Sequence, residues 1–387
     1  MTVTPLKRLA ELRVDRARRD PNAVLTLDLI ESGTGAYLTD PWERPSVPPV
    51  AGVADVEPGD VLFGKLRPYL AKVVHVNRHA YASTELMCLR PKRGVEPRWF
   101  FYRMIAQPTV EWSVATSEGT KMPRTSWERL GDFRVEVPST ATQLAIADYL
   151  DNETARIEAL LSVKRGLFKL LDLKFRILAR ALTALDDRVQ LRRVVRSIRT
   201  GTTPAADAME ELGQGADVEW ISPGDVGERL LTKPAARRLN GRAVRDRHCP
   251  TFLSDSTLVV GIGATAGRIA HLDRVATGNQ QMTCIASGDD MLPRFLSWQL
   301  WARQDEMRET APYTTLPILS NEFLRSLEVS WPSPRVQERV VAQLDLLASR
   351  TGDLSDALQR QMALLREHRQ ALITAVVTGE AEVPGLA

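Results

Sequence analysis

Mostly apolar residues recur at alternating steps of four and three in the middle of the chain and again near its end. In the middle stretch these positions are Leu150, Thr154, Ile157, Leu161, Lys164, Phe168, Leu171, Phe175, Leu178, Leu182 and Leu185. In the later stretch they are Leu344, Ala348, Thr351, Leu358, Met362, Leu365, Leu372 and Val376, with Ser355 and Arg369 as polar positions that weaken the seam. This spacing is the seam of a heptad repeat, which predicts two long helices that each pack against a partner helix.

Short apolar runs separated by turn residues fill most of the remaining chain. Between residues 50 and 138 they read DVLF, KVVHV, LMCL and FRVEV, and between residues 189 and 334 they read VEWI, TLVVGIG, GRIAHL, MTCIA and LEVSW. Runs of this length and composition are typical of β-strands. Helical patterns at residues 97–106 and 293–304 interrupt them, so each segment is predicted to be a β-rich, mixed α+β domain.

The two halves of the chain follow the same plan. Gln143 matches Gln337 and Asp151 matches Asp345, each pair 194 residues apart, and PRWFFYRM matches PRFLSWQL at a separation of 196. We therefore predict an α+β fold with a pseudo-two-fold internal repeat. Its parts are a first globular domain, a central long helix, a second globular domain and a C-terminal long helix, at residues 1–140, 141–188, 189–334 and 335–387. Ordinary core helices are the alternative, which two uninterrupted copies make less favourable.

Composition limits the class of protein. The chain has 387 residues, of which 44% are hydrophobic, which suffices for the cores of two or three domains. No run approaches the roughly 18 apolar residues of a membrane span, and the charged first segment does not resemble a signal peptide. Cys88, Cys249 and Cys284 are too few and too scattered for a disulfide framework or a metal cage. We therefore expect a cytoplasmic protein without membrane contact.

Positive charge is clustered although its total is small. The net charge of +3 by itself indicates little. Residues 229–245 carry six basic residues and no acidic one, and residues 65–78 carry four basic residues and no acidic one. Such clusters are expected where a protein contacts phosphates, although a solvated surface strip would have the same composition.

One incomplete motif resembles a phosphate-binding loop. GDVLFGKL at residues 59–66 has the right glycines and lysine, but Leu66 occupies the position of the Ser or Thr that holds magnesium. The following Arg67 and Pro68 also argue against a helix beginning there. An enzyme that uses this motif for a nucleotide is a remote alternative.

Other motifs for chemistry are equally incomplete. Gly261, Gly263 and Gly267 form a loose GxGxxxG with no acidic residue about 20 positions later, so we predict a tight loop rather than a dinucleotide site. His75 and His79 are four residues apart in a strand-like run, which does not place them on one face. We predict no catalytic residue, no metal ligand and no cofactor in this chain, which favours a binding protein.

The most distinctive segments lie around the two long helices. They read VEVPSTATQLAIADYLDNETARIEALL at 135–161, VSWPSPRVQERVVAQLD at 329–345 and ALITAVVTG at 371–379. Supporting segments read RTGTTP at 199–204, WISPGDV at 220–226, GATAGRIA at 263–270 and NQQM at 279–282. Together they resemble the specificity subunits of type I restriction-modification enzymes, over essentially the full length. The first globular segment departs from the pattern, because KLRPYLAK and STELMCL replace the glycine-rich and Asn-Gln elements.

The resemblance implies two target-recognition domains, each reading one half of a bipartite DNA sequence, and two helices packed as an antiparallel coiled coil. It implies a non-catalytic subunit that binds double-stranded DNA, two methyltransferase subunits and restriction subunits. S-adenosylmethionine, ATP and magnesium would be used by those partner subunits and not by this chain. The alternative function is a coiled-coil assembly scaffold that reads no DNA, which would not need two unequal globular copies.

Within this reading, Arg and Lys contact phosphates, while Arg, Asn and Gln read base edges. In the first domain the DNA-binding candidates are Lys65, Arg67, Tyr69, Ser83, Thr84, Thr120, Lys121 and Arg124. In the second they come from the basic run at 229–245 and from the segments near the glycine-rich loop, as Lys233, Arg237, Arg238, Arg242, Arg268, Asn279, Gln280 and Gln281. Thr314 and Thr315 are further candidates, because they match Thr120 and Lys121 at the offset of 194 residues, just before the entry to each long helix. Turn capping by the amides and a structural hinge at the threonines are the alternatives. Apolar helix residues outside the seam are predicted to dock partner subunits, namely Leu160, Leu167, Leu170 and Ile177.

Overall fold

The computed structural model describes residues 2–14, 23–43, 54–205, 213, 215, 217–227, 229–246, 248–312 and 317–384. The chain divides into two compact units. Unit 1 comprises Met1–Arg165 and Gln359–Ala387, and unit 2 comprises Gly166–Leu358. These units differ from the four predicted segments, because each long helix supplies one part to each unit.

In unit 1 the globular part contains a four-stranded sheet and a three-stranded sheet. The described strands are β1 Thr2–Pro5, β2 Ala10–Arg13, β3 Val24–Leu25, β4 Ala54–Val56, β5 Val61–Gly64, β6 Val73–His75, β7 Ala80–Ala82, β8 Leu86–Pro91 and β9 Arg134–Val137. The larger sheet is antiparallel with the order β2-β8-β5-β6. The smaller has the order β3-β7-β4, with β3 parallel and β4 antiparallel to β7, and β1 pairs with β9.

The described helices of unit 1 follow the large sheet. They are α1 Pro97–Ile105, α2 Gln107–Ala115, α3 Trp127–Leu130 and the long α4 Thr140–Thr183, which continues into unit 2, and short 3₁₀ turns lie at Leu6–Arg8, Leu27–Leu29 and Pro68–Leu70. The core joins the sheet to both long helices. Trp99 and Phe100 of α1 are fully buried with Leu150 of α4 and with Ile373. Removing these side chains from water is the main force that holds the globular part on the helices.

The larger sheet of unit 2 repeats the strand order of unit 1, whereas the smaller sheet has a different order. Its described strands are β10 Arg188–Gln190, β11 Val195–Thr200, β12 Val218–Ile221, β13 Arg238–Leu239, β14 Ser256–Val260, β15 Ile269–Leu272, β16 Thr277–Gly278, β17 Met282–Ser287 and β18 Glu328–Ser330. The larger antiparallel sheet has the order β11-β17-β14-β15. The smaller has the order β13-β12-β16, with one antiparallel and one parallel pair, and β10 pairs with β18.

The described helices of unit 2 are α5 Arg242–Arg245, α6 Pro293–Ala302, α7 Gln304–Thr310, α8 Asn321–Ser326 and the long α9 Pro334–Thr378, which continues into unit 1, and 3₁₀ turns lie at Leu191–Arg193 and Pro223–Asp225. Phe295 and Trp298 of α6 are buried with Phe175 of α4 and Leu344 of α9. Each of the nine apolar runs predicted as strands contains a strand, and both predicted short helices are present. The mixed α+β prediction with two long helices is confirmed.

The heptad seam is largely buried, with one shift near the end of α4. Leu150, Ile157, Leu161 and Phe175 are buried as predicted, whereas Leu178 is 37% exposed. Ala179 is fully buried in its place. The shift arises because an α-helix has 3.6 residues per turn and drifts against a strict 3.5-residue repeat.

The predicted helix ends need correction. Helix α4 ends at Thr183 rather than 188, because the chain turns into β10, and Leu185 N donates to Ser330 Oγ at 2.9 Å. Helix α9 ends at Thr378, and Gly379 follows with φ of +79°. That left-handed conformation favours glycine and commonly terminates helices. Within the described residues, no helix combines the length and apolar composition needed to cross a membrane.

Candidate nucleic-acid interface

Separate segments of unit 1 meet where DNA-binding residues were predicted. Lys65 Nζ donates to the carbonyl oxygen of Thr84 at 2.7 Å. Arg67 N donates to Pro123 O, also at 2.7 Å. Lys65, Arg67 and Thr84 are therefore adjacent to residues 118–124, although they are distant in sequence.

A loop projects between Glu118 and Arg124. These two residues exchange backbone hydrogen bonds of 2.9 and 2.8 Å, which close the base of the loop. Gly119 has φ of +92°, a conformation that glycine adopts without strain. Thr120 and Lys121 are both exposed on the loop. The structure thus presents the predicted Thr-Lys pair to solvent.

The cations of this surface differ in whether a carboxylate neutralises their charge. Arg124 Nη2 pairs with Glu85 Oε1 at 2.8 Å, which reduces its capacity to bind an external anion. Burial, and then the charge of Arg124, lower the pKa of Lys65. Among the described residues, Arg67 and Lys121 have no carboxylate at ion-pair distance, and both are exposed. They are the cations of this surface best able to contact a phosphate.

Two predicted residues of the first domain lie differently. Ser83 Oγ is buried, so it cannot reach a base edge in this conformation. Tyr69 is exposed but lines a groove of about 430 Å³ together with Gly33, Gln107 and Arg369. Neither side chain joins the surface around the Lys121 loop.

In unit 2 the glycine-rich loop and the Asn-Gln segment meet as predicted. Gly261 N donates to Gln281 O at 2.7 Å, and Gln281 Nε2 approaches Ile262 O at 3.5 Å. Asn279 Oδ1 accepts a hydrogen bond from Gln281 N at 3.0 Å, so Asn279 caps its own turn. Gln280 is exposed and is the amide best able to reach a base edge.

Arg268 lies on the other side of β14 from these amides. The sheet order places β14 between β17 and β15, and Val260 N donates to Arg268 O at 2.9 Å. Two strand spacings, about 10 Å, therefore separate the backbone of Arg268 from that of Gln281. Arg268 instead lines a groove of about 570 Å³ with Lys169 and Arg308.

The basic run at 229–245 is not a uniform phosphate strip. The guanidinium of Arg229 lies 5.5 Å from the ring centroid of Phe175, and its Nη2 donates to Ser355 Oγ at 3.0 Å. Arg229 therefore attaches the globular part of unit 2 to its helices, and it is the member of the run least free to contact a phosphate. Lys233 and Arg242 are exposed and remain available for phosphates.

The other cations of the run have partners within unit 2. Arg238 pairs with Glu219 at 3.3 Å, and Arg237 lies over the Trp220 ring at 6.0 Å. Burial alone would raise the pKa of Glu219, but hydrogen bonds from Arg274, at 2.7 Å, lower it overall. The sequence did not predict the ion pair of Glu219 with Arg274, because the two residues are 55 positions apart and no local pattern links them.

Thr314 and Thr315 lie outside the described residues. Their expected equivalence to the Thr120 loop therefore stays a prediction.

The residues predicted to dock partners are exposed on α4. Leu160 in unit 1, and Leu167, Leu170 and Ile177 in unit 2, are 45 to 60% exposed. In unit 2, Leu173 extends the same row at helical spacing. Apolar rows of this kind on a helix commonly mark a surface that a partner covers.

One cluster has the residue types of a hydrolase triad but not its accessibility. His271 Nδ1 lies 3.1 Å from Ser297 Oγ, and His271 Nε2 lies 3.6 Å from Asp255 Oδ1. Ser297 is fully buried and its hydroxyl donates to Pro293 O at 3.0 Å, so it is not placed as a nucleophile. The cluster holds α6 against β14 and β15. In the part of the chain that the structure describes, no group of His, Cys, Asp and Glu side chains is arranged to hold a metal ion.

Curated relatives match part of the chain, and no family model matches it. The MjaIX specificity subunit of a type I restriction enzyme from Methanocaldococcus jannaschii is 23% identical over 171 residues, covering 43% of this chain and 38% of that protein. The EcoR124I/EcoR124II specificity subunit from Escherichia coli is 23% identical over 169 residues, covering 42% of this chain and 41% of that protein. The matched stretch therefore spans less than half the length of these relatives.

A solved structure shares the fold over almost the whole chain. It belongs to a study of complex assembly and conformational transition in a type I R-M system, with a TM-score of 0.76, 18% identity and 98% of both chains covered. This chain resembles type I specificity subunits. The resemblance predicted from the sequence motifs is confirmed, and the fold likeness to the solved structure covers more of the chain than the stretch aligned with the curated relatives.

Proposed function

We propose that this chain is the DNA sequence-recognition subunit of a type I restriction-modification complex. It catalyses no reaction itself and selects the site at which partner methyltransferase and restriction subunits act. The observation that carries this proposal is the fold likeness over 98% of the chain to a type I R-M protein. The curated relatives, both named as specificity subunits, support the same role.

The target is bipartite, with one half read by residues 1–140 and the other by residues 189–334. Support comes from different loops on the larger sheet, whose strand order is the same in both units. After β5, unit 1 carries KLRPYLAK, whereas after β14, the strand in the same sheet position, unit 2 carries GIGATAGR. Different loops on a common scaffold are expected where each domain recognises a different sequence.

The long helices form an antiparallel coiled coil, and the chain is a pseudo-two-fold repeat. In unit 1, Ile157 and Leu161 pack with Met362, and Lys164 Nζ donates to Gln361 Oε1 at 2.6 Å. At these contacts the residue numbers increase along the first helix where they decrease along the second. This local packing supports the proposed antiparallel arrangement.

Matching hydrogen bonds at the beginning of each long helix support the repeat. Gln143 Oε1 accepts from Glu96 N at 2.9 Å, and Gln337 Oε1 accepts from Leu292 N at 2.8 Å. Each glutamine also donates from Nε2 to the carbonyl oxygen of the proline five residues earlier. The same hydrogen bonds therefore hold the globular part to the long helix in both units.

Affinity comes from exposed cations and discrimination from exposed amides. Arg67 and Lys121 in unit 1 and Lys233 and Arg242 in unit 2 contact phosphates, because they are exposed and uncommitted to acids among the described residues. Gln280 reads a base edge, since an amide side chain can bond to adenine through two atoms. The exposed leucines of α4 bind the methyltransferase subunits, which supply the chemistry with S-adenosylmethionine.

The experiment is a methylation map of a host genome with the methyltransferase genes and with or without this chain. We expect methylation at one bipartite sequence only when the chain is present. Replacing Gln280 by Ala should relax the map at one base of one half-site, whereas Gln214→Ala, a change outside the expected reading segments, should leave the map unchanged. An assembled complex that binds DNA poorly at every salt concentration and methylates no defined sequence would instead favour the scaffold alternative.

A further inference from the structure

The tip of the unit 1 loop carries an apolar side chain among polar ones. Met122 is 56% exposed and follows the exposed Thr120 and Lys121. Exposed Arg67 lies beside the base of the loop through its bond to Pro123. The methionine is therefore displayed on a surface that otherwise suits a polyanion.

The loop is held firmly at its base, which limits how far Met122 can retreat. Besides the two bonds between Glu118 and Arg124, Thr125 N donates to Lys65 O at 2.9 Å. A Cβ atom at Gly119 would lie 3.2 Å from Met122 O, so the turn is tight as well. A loop restrained in this way can keep its conformation when its tip contacts a ligand.

The second repeat has the same type of residue at this point of its sequence. Met122 precedes Pro123, and Leu316 precedes Pro317 at the offset of 194 residues. An unbranched or γ-branched apolar side chain before proline therefore occurs in both copies, although the preceding residue changes from Lys121 to Thr315. Solubility alone gives no reason to place an apolar residue there twice.

We propose that Met122 is a wedge that inserts between two base pairs of the first half-site and unstacks them. The inference rests on the proposed function and extends it from contacts to DNA deformation. Proteins that kink DNA insert Met, Leu, Ile, Phe or Pro side chains between base steps, and flanking cations hold the strands. Lys121 and Arg67 supply those cations, and the cost of unstacking adds selectivity for easily deformed steps.

The test uses the complex of this chain with its methyltransferase subunits on its mapped target. The fluorescent base 2-aminopurine replaces, one at a time, each purine of the first half-site, and its emission rises when stacking is lost. The variants are Met122→Ala, Met122→Leu and the control Leu38→Ala, because Leu38 is similarly exposed at 59% elsewhere in unit 1. The adenine that receives the methyl group is an internal reference, because methyltransferases extrude their target base.

We expect one step of the half-site to brighten with the unsubstituted chain, with Met122→Leu and with Leu38→Ala. Met122→Ala should lose that signal and keep the signal at the methylated adenine. It should also bind the target about tenfold more weakly, because the methionine side chain would no longer be buried between the bases. The wedge is wrong if Met122→Ala leaves the emission unchanged, or if no step brightens in a complex that methylates its bipartite target. In these outcomes the methylated adenine is set apart, because its emission rises on extrusion whether or not a wedge is present. The wedge is also wrong if Met122→Ala weakens methyltransferase assembly only, which would make the loop a protein contact. Absence of any bipartite methylation would overturn the proposed function itself.

Discussion

Arg294 donates from Nε to both carboxylate oxygens of Asp345, at 2.7 and 2.9 Å. The same carboxylate accepts from Trp298 Nε1 at 2.9 Å, so one side chain of α9 holds both ends of a turn of α6. In unit 1, Asp151 accepts from Arg98 at 2.6 Å in the corresponding place. These contacts connect each globular part to the helix that follows it.

Replacing Asp345 by Ala should therefore destabilise unit 2. Trp298 is fully buried, and its indole N–H would lose its acceptor. We expect a loss of about 2 kcal/mol in the free energy of unfolding, since a buried donor without a partner costs about 1 to 3 kcal/mol and the half-exposed ion pair adds little. Urea unfolding followed by tryptophan fluorescence measures it. Asp353→Ala, an exposed acid on the same helix, should change stability by less than about 0.5 kcal/mol. Equal losses in the two variants would contradict this role of Asp345.

The local patterns of the sequence predicted the elements well, and the reason is physical. The heptad seam and the strand runs depend on periodicities within ten or so residues, and burial of Leu150, Leu161 and Phe175 follows from them. The end of α4 was misplaced because β10 pairs with β18, and their contact spans about 140 residues of chain. Sequence periodicity carries no information on such a pairing.

The candidate site was predictable in outline only. The motifs located the segments that meet around Gly261 and Gln281, but not the partners that decide which side chains are free. Arg229 could not be separated from Lys233 by composition, because its partner Ser355 lies 126 residues away. Asn279 was recognised as a possible base reader, yet its oxygen is occupied by the turn that it caps.

Unit 2 should lose stability as the solution becomes acidic. Burial, and then the charge of Arg294, lower the pKa of His271 in the folded chain, against the opposing effect of Asp255. The unfolded chain then binds a proton more readily than the folded one, so the contribution is present above a pH of about 6.5 and is lost as the pH falls below it.

We expect the free energy of unfolding to fall toward acidic pH with a slope of up to about 1.4 kcal/mol per pH unit from this histidine. His271→Gln should flatten the slope between pH 6.5 and 5, whatever its effect on absolute stability. His79→Gln, at an exposed histidine, is the control and should keep the slope. If His271→Gln retains the full slope, burial of this imidazole is not its source.

The exposed row on α4 should be needed for assembly and not for folding. Replacing Leu170 and Ile177 together by Gln should leave the melting temperature almost unchanged, because both side chains are already about 60% exposed. The same change should abolish co-purification of the methyltransferase subunits, since a stable interface depends on a few buried apolar anchors. Val275→Gln, at an equally exposed apolar residue outside the long helices, should assemble normally. Normal assembly of the double variant would exclude this face as the docking surface.

The most direct test of the account is a hybrid in which residues 187–331 are exchanged for the matching segment of a relative with a different target. The structure offers these boundaries because β10 and β18 pair where the segment begins and ends, and Trp331 N donates to Asp187 O at 2.6 Å. The measurement is the methylation map of a host that carries the hybrid and its methyltransferase subunits. The account predicts that one half of the methylated sequence changes to that of the relative while the other half is retained. A folded, assembled hybrid whose two half-sites both change, or both stay the same, would contradict the claim that each globular part reads its own half.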